Sequence, residues 1–168
     1  MRTLTTATGE IVCLREAVVE DARELIRAVD GVAREGAYFL RSTFEVDEEI
    51  ERTFLANAQE RGDLILVAAA ATEVHGYIDQ ESQPDQSVAW IHHLVVKPEQ
   101  RRQGIGSALL ARGLQHGQQQ GMAQVMTVVQ SKNYPGIQFL QKHGFKFCGY
   151  NERFYRSRDI ALYFVRGL

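Results

Sequence analysis

The stretch that decides the reading is Val88-Ala89-Trp90-Ile91-His92-His93-Leu94-Val95-Val96, then Lys97-Pro98-Glu99-Gln100, then Arg101-Arg102-Gln103-Gly104-Ile105-Gly106-Ser107. Its first part reads as a buried strand. Pro98 has no N–H for a ladder hydrogen bond, so the strand should end there. A basic turn follows, and Gly104 and Gly106 open a helix with no Cβ between the backbone and a close ligand. The first N–H groups of a helix have no partner within it, and they lie at the positive end of its dipole. Together with Arg101 and Arg102 they make a site for phosphate.

Three phosphate-binding patterns compete for these residues. The loop that cradles nucleoside triphosphates needs a Lys after its second glycine, and none is present. A dinucleotide fingerprint needs a third small residue three positions after the second glycine, where this chain has Leu109. What remains is Arg101-x-x-Gly104-x-Gly106 following a strand and a proline. This resembles the acetyl-CoA pyrophosphate loop of the GNAT superfamily of N-acetyltransferases. The likeness continues in Asn133, placed after a later strand, and in Gly144-Phe145 at the end of a short helix. It covers about residues 88 to 145. The tail, from Cys148-Gly149-Tyr150 through Ile160-Ala161-Leu162-Tyr163, is similar to that of streptothricin-type acetyltransferases.

Composition bounds the alternatives. A chain of 168 residues can bury a substantial core and reads as a single domain over 1–168. The 45% apolar and 24% charged residues are those of a globular protein. Nineteen basic against 21 acidic side chains give a net charge of -2, which argues against a nucleic-acid partner. The local cluster Lys97, Arg101 and Arg102 suits a small anion better than a polymer. Cys13 and Cys148 lie far apart, so neither a zinc site nor a disulfide framework is readable, and a reduced, cytoplasmic setting is the expectation. No segment approaches the ~20 apolar residues that span a bilayer, and no early run has signal-peptide character.

Taken in order, residues 1 to 9 read as a loose polar start and Ile11–Arg15 as a first strand. A helix is expected over 19 to 34, with Glu20 and Asp21 favoured in its first turn and Gly36 as its stop. Ala37 to Phe44 carries three aromatics and reads equally as a core-covering loop or a pocket wall. Asp47–Glu60 reads as a second helix. Leu64–Ala71 and Gly76–Glu81 read as a hairpin around a turn at Glu73–His75. In the helix from Gly104, Ile105, Leu109, Leu110 and Leu114 share an arc with Gly106, Gly113 and Gly117. A glycine costs about 1 kcal/mol in a helix, so three on the buried side predict close approach to the sheet. A strand over Ala123–Gln130, a helix over 135 to 143 capped by Gly144, and strands over Phe145–Tyr150 and Ile160–Val165 complete the chain.

The resemblance implies an α/β fold: a mostly antiparallel sheet, flanked by helices on both faces and splayed between the family's fourth and fifth strands. Acetyl-CoA, the co-substrate, would lie in the opening. Backbone of Leu94, Val95 and Val96 would pair with the pantetheine arm. N–H groups of Arg102, Gln103, Gly104, Ile105, Gly106 and Ser107 would hold the pyrophosphate beside Arg101, and Asn133 would bond the arm. As a bare sequence feature, Asn133 reads equally as a helix cap. No metal is implied.

Acetyl transfer needs a neutral amine, and a free alkylamine has a pKa of about 10.4, so a base is useful. His92 is the expected base, because it matches a position where some small-amine members carry His and an imidazole suits neutral pH. Strand alternation puts His92 with Trp90 and Leu94, opposite His93. Glu81, on the adjacent strand, is the rival base. Family members often place a proton-donating Tyr seven residues after the Asn, where this chain has Leu140. Tyr134, Tyr150 and Tyr155 are the substitutes considered, with Tyr150 taken as the catalytic candidate. Cys148 is expected in the core. The resulting expectation is direct acetyl transfer to a primary amine of a small molecule or a protein. The rivals are a silent acyl-CoA-binding domain and a nucleotide-binding module. Neither a nucleic acid nor a membrane is expected as partner, and a homodimer is left open.

Overall fold

A computed structural model of the chain describes residues 2–35, 47–71, 73–155 and 157–168. The strands are β1 (Arg2–Thr5), β2 (Ile11–Glu16), β3 (Leu64–Ala70), β4 (Glu73–Gln83), β5 (Val88–Val96), β6 (Gln124–Gln130), β7 (Lys146–Asn151) and β8 (Ala161–Gly167). The helices are α1 (Ala22–Ala33), α2 (Glu48–Arg61), α3 (Ile105–Gln119) and α4 (Tyr134–Lys142). One sheet carries all eight strands in the order β1-β2-β3-β4-β5-β6-β8-β7. Every pairing is antiparallel except β5 with β6. A parallel pair needs a crossover, and α3 supplies it.

The two faces hold separate cores. On one, Leu66, Ile78, Ala89 and Ile91 of the sheet pack under Ile105, Leu109 and Leu110 of α3 and Leu140 of α4. On the other, Ile65, Val67, Tyr77 and Val95 meet Leu25 and Ala28 of α1 and Leu55 and Ala58 of α2. Tertiary packing uses the glycine arc of α3 as expected. A Cβ on Gly113 would stand 2.8 Å from Ile78 Cδ1 and from Gln80 Oε1, and one on Gly117 2.9 Å from Leu168 Cδ1.

Local chemistry sets the helix ends. Asp47 caps α2 by accepting from the Glu49 amide, and Gly62, at φ 78°, closes it. A 3-10 turn, Val19–Asp21, precedes α1. Asp21 accepts two bonds from the Arg15 guanidinium (2.6 and 2.8 Å) and one from the Val18 amide. Burial alone would raise its carboxyl pKa, but these donors hold it below the usual carboxylate range.

Several expectations are corrected. The polar start contains a strand, β1, because its backbone groups pair with β2. The turn expected at Glu73–His75 lies inside β4, whose register with β3 shifts beside His75. Cys148 is exposed, since it sits on the edge strand β7 and not in the core. The aromatic run Ala37–Phe44 and the stop at Gly36 fall outside the described residues.

Candidate active site at the open seam between β5 and β6

The parallel pairing of β5 and β6 covers only Val88–Ile91 and Gln124–Thr127. Beyond it, β5 runs on to Val96 and β6 to Gln130, and the strands part. This is the expected splay. It leaves an opening edged by the backbone of residues 92–96 and bounded by the N-termini of α3 and α4.

Gly104, at φ +89°, turns the chain into α3. The Ala108 amide makes an intrahelical bond back to the Gly104 carbonyl (3.0 Å). The amides before it therefore point out of the helix end. Nothing lies within 4 Å of where a Gly104 Cβ would stand, and a Gly106 Cβ would touch Phe139 and Val96 at 3.6 Å. Gly104 and Gly106 set no side chain of their own beside these amides, which fits a diphosphate group.

The basic cluster read from sequence is dispersed. The Lys97 ammonium is buried against Glu73 (2.9 Å) and Glu24 (3.6 Å), tying β5 to β4 and α1. The Arg101 guanidinium makes two bonds to Glu35 (2.6 and 3.0 Å) and one to the Val96 carbonyl (3.3 Å). Arg102 is the exposed cation of the three, at φ +63°. Gln103 donates to Gln100 and accepts from the Thr8 hydroxyl.

Ser107 meets a residue to which the sequence assigned no role. His143 Nδ1 lies 2.8 Å from the Phe139 carbonyl, and Nε2 lies 3.0 Å from Ser107 Oγ. The carbonyl can only accept, so Nδ1 carries a hydrogen, and Nε2 is within hydrogen-bond distance of the Ser107 hydroxyl. Asn133 caps α4 by accepting from the Gly136 amide (2.9 Å), which fits its reading as a cap.

On the other face the register between β4 and β5 shifts: Asp79 pairs with His93, but Gln80 pairs with Ile91. His92 is the extra residue of a bulge. Strand alternation is broken there, and His92 and His93 point to the same side. Leu94 packs in the α3 core with Ile91, opposite to its expected placement beside His92. His92 Nε2 lies 2.8 Å from Glu81 Oε2, so the two rival bases form one pair. That bond, followed by one from Gln83, holds the Glu81 carboxyl below its usual pKa.

His93 Nδ1 lies 3.3 Å from Tyr77 Oη and 3.5 Å from Asp79 Oδ2. Asp79 is buried, and burial pushes its pKa up to about 6, assisted by the nearby Asp63 and Glu81 charges and opposed by His92 and Arg61. Asp79 and His93 were missed as site residues. The signal was present in Asp79-x-Glu81, whose spacing puts both carboxyls on one side of a strand.

The tyrosines separate. Leu140 is buried in the core. Tyr134 begins α4 beside Asn133 and is exposed. Tyr155 is buried, which pushes its phenol up to about 12 and makes it a weak acid. Tyr150 is exposed on β7, with β6 and β8 standing between it and β5. The structure brings His92 and Glu81 together and does not bring Tyr150 to them. Among the described residues, no group of His, Cys, Asp and Glu could hold a metal.

A splayed sheet with a glycine-opened helix at the seam defines an acyl-CoA transferase scaffold. The sequence profile of the acetyltransferase (GNAT) family matches residues 22–145, so the chain belongs to that family of acetyl-CoA-dependent N-acetyltransferases. A rat protein, N-acetyltransferase family 8 member 3, is 31% identical over 108 residues, which are 60% of this chain. The chain spans 45% of that relative's length. Among solved structures, a ribosomal-protein-alanine N-acetyltransferase from Brucella melitensis aligns with a TM-score of 0.80 at 21% identity, covering 93% of this chain and 99% of that one. A phosphinothricin acetyltransferase from Sinorhizobium meliloti, solved with acetyl-CoA, aligns at 0.81 and 20% identity, covering 94% and 88%. At these identities the structures speak for the fold.

Proposed function

We propose that this chain transfers the acetyl group of acetyl-CoA directly to a primary amine, with the His92–Glu81 pair as its base. The observation that carries the reading is the 2.8 Å contact between His92 Nε2 and Glu81 Oε2, beside the open seam. An ionised carboxylate only accepts, so His92 donates Nε2–H to it, which in the neutral imidazole makes Nδ1 the acceptor nitrogen. Nδ1 is then the atom that takes the ammonium proton, and Glu81 stabilises the imidazolium that forms.

Acetyl-CoA supplies an activated thioester when bound. The amides of Arg102 to Ser107 hold its diphosphate, with Arg101 fixing the loop through Glu35 and Val96. The backbone of Leu94 to Val96 and the Asn133 side chain hold the pantetheine arm. A backbone N–H near Leu94 donates to the carbonyl oxygen as charge develops on it. The amine nitrogen bonds to the carbonyl carbon, the carbon–sulfur bond breaks, and the departing thiolate takes the second proton that the nitrogen sheds. The partners are acetyl-CoA and an amine, within one domain. The unpaired Cys13 and Cys148 support a reduced, cytoplasmic setting.

Thiol release with a panel of primary amines tests the reading. His92→Ala should lower kcat/KM at least 100-fold, within the range of general-base catalysis, while the Kd for CoA changes little. An unaltered rate would move the base elsewhere. The burial of Leu140 where relatives often carry Tyr favours a second reading, a silent acyl-CoA-binding domain. CoA binding without turnover on any amine would support it.

A further inference from the structure

The sheet is covered unevenly on its α1 side. Among the described residues, α1 packs on β4 and β5 and α2 on β3. Past β5, the same face presents Trp90, Met126, Val128, Tyr163 and Val165, all half-buried and none charged. Its rings form a row. Trp90 meets Tyr163 at 6.4 Å, Tyr163 meets Phe154 at 6.2 Å, and Phe154 meets Tyr155 at 4.8 Å, each edge to face. The row starts at the catalytic pair, because Trp90 is the register partner of Glu81 and lies two residues before His92. It runs to an open hollow of about 480 Å³ lined by Tyr150, Asn151, Glu152, Arg153 and Tyr163.

We infer that the acceptor is an aralkylamine, a primary amine joined by a short chain to a flat apolar body that lies along Trp90 and Tyr163. This rests on the transferase reading above. The amine end is held by charge: the Glu81 carboxylate stands beside His92, and Asp79 lies next along the same side of β4 as the register partner of His93. The body is held by rings whose faces and edges favour another aromatic. A polyamine would set its second ammonium against Trp90, Met126, Val128, Tyr163 and Val165, none of them charged; among the hollow's lining residues Glu152 is a carboxylate, and it stands at the far end of the row with Arg153. The occupant is therefore cationic at one end and apolar at the other, as the wall is.

Trp90 is the chain's single tryptophan, so its emission reports this wall without any need for turnover. The CoA-bound protein would be titrated with 2-phenylethylamine and, separately, with spermidine, and both would be assayed as acceptors. A saturable change in Trp90 emission with 2-phenylethylamine, and a kcat/KM at least tenfold above that for spermidine, are expected. Tyr163→Ala and Phe154→Ala should each raise KM for 2-phenylethylamine several-fold with kcat nearly kept, and Tyr163→Phe should restore KM. A preference for spermidine, or no emission change with 2-phenylethylamine, would overturn the inference while leaving acetyl transfer standing. Saturable emission without turnover on any amine would uphold the aromatic site and sink the transferase reading instead.

Discussion

On the proposed cofactor side of the seam, binding falls to backbone. Amides of consecutive residues from Arg102 to Ser107 are aimed by one left-handed glycine and by the start of α3. On the proposed acceptor side, it falls to side chains from different strands. Glu81 and Asp79 come from β4, His92 and His93 from β5, and Trp90 and Tyr163 from strands separated by β6. The first kind of site is written in one short run of residues. The second exists only once the register of β4 against β5 is set. The contrast shows where substitutions should act locally and where they should act through the whole site.

The largest effect is expected at the backbone site. Gly106→Glu puts bulk against Phe139 and Val96 and a negative charge at the diphosphate, so CoA affinity should fall at least 100-fold. Calorimetric titration checks it, and retained affinity would remove the loop assignment. On the side-chain site, Asp79 gives a pH signature. Its pKa is raised from 3.8 to about 6, so the native state binds more protons than the unfolded chain between those values. Its contribution to stability is complete below about 3.8 and lost as pH rises through about 6. At about 1.4 kcal/mol per pKa unit the loss is on the order of 3 kcal/mol. Asp79→Asn should flatten that part of the Tm–pH curve; an unchanged curve would show that Asp79 ionises freely.

A smaller effect tests the sheet beneath both sites. Gly113→Ala gains about 1 kcal/mol in helix propensity. Its Cβ, however, meets Ile78 and Gln80 at 2.8 Å in a fully buried layer. Overpacking costs about 1–3 kcal/mol, so a net loss of about 1 kcal/mol and a Tm drop of about 2–4 °C are expected. A rise in Tm would mean that α3 can lift without cost. The smallest effect belongs to Tyr150→Phe. Its place on the far edge strand predicts turnover within about twofold of wild type. A loss of tenfold or more would restore Tyr150 as the proton donor.

Much of the fold was readable because its signals are local. The apolar run Leu64–Ala71 reads as a buried strand, Pro98 ends β5, and Gly62, Gly121 and Gly144 take the left-handed conformations that close helices. The glycines of α3 announce close packing by their spacing alone. Three readings failed for a shared reason. His92 and His93 were placed on opposite sides, Cys148 in the core, and Lys97 in a basic cluster suited to a small anion. Each depended on a partner distant in sequence: Asp79 and Gln80 fixing the bulge, β8 leaving β7 at the edge, and Glu73 and Glu24 claiming the ammonium.

By itself, then, the order of residues determined the strand–proline–glycine loop, the helix caps and the family, since each is an interaction within a few bonds of its own residue. Only the folded sheet decided that His92 and Glu81 are one pair, that Asp79 and His93 stand beside them, and that an aromatic row leads away from the site. Those relations depend on strand register, and a shift of a single residue sends a side chain to the other face.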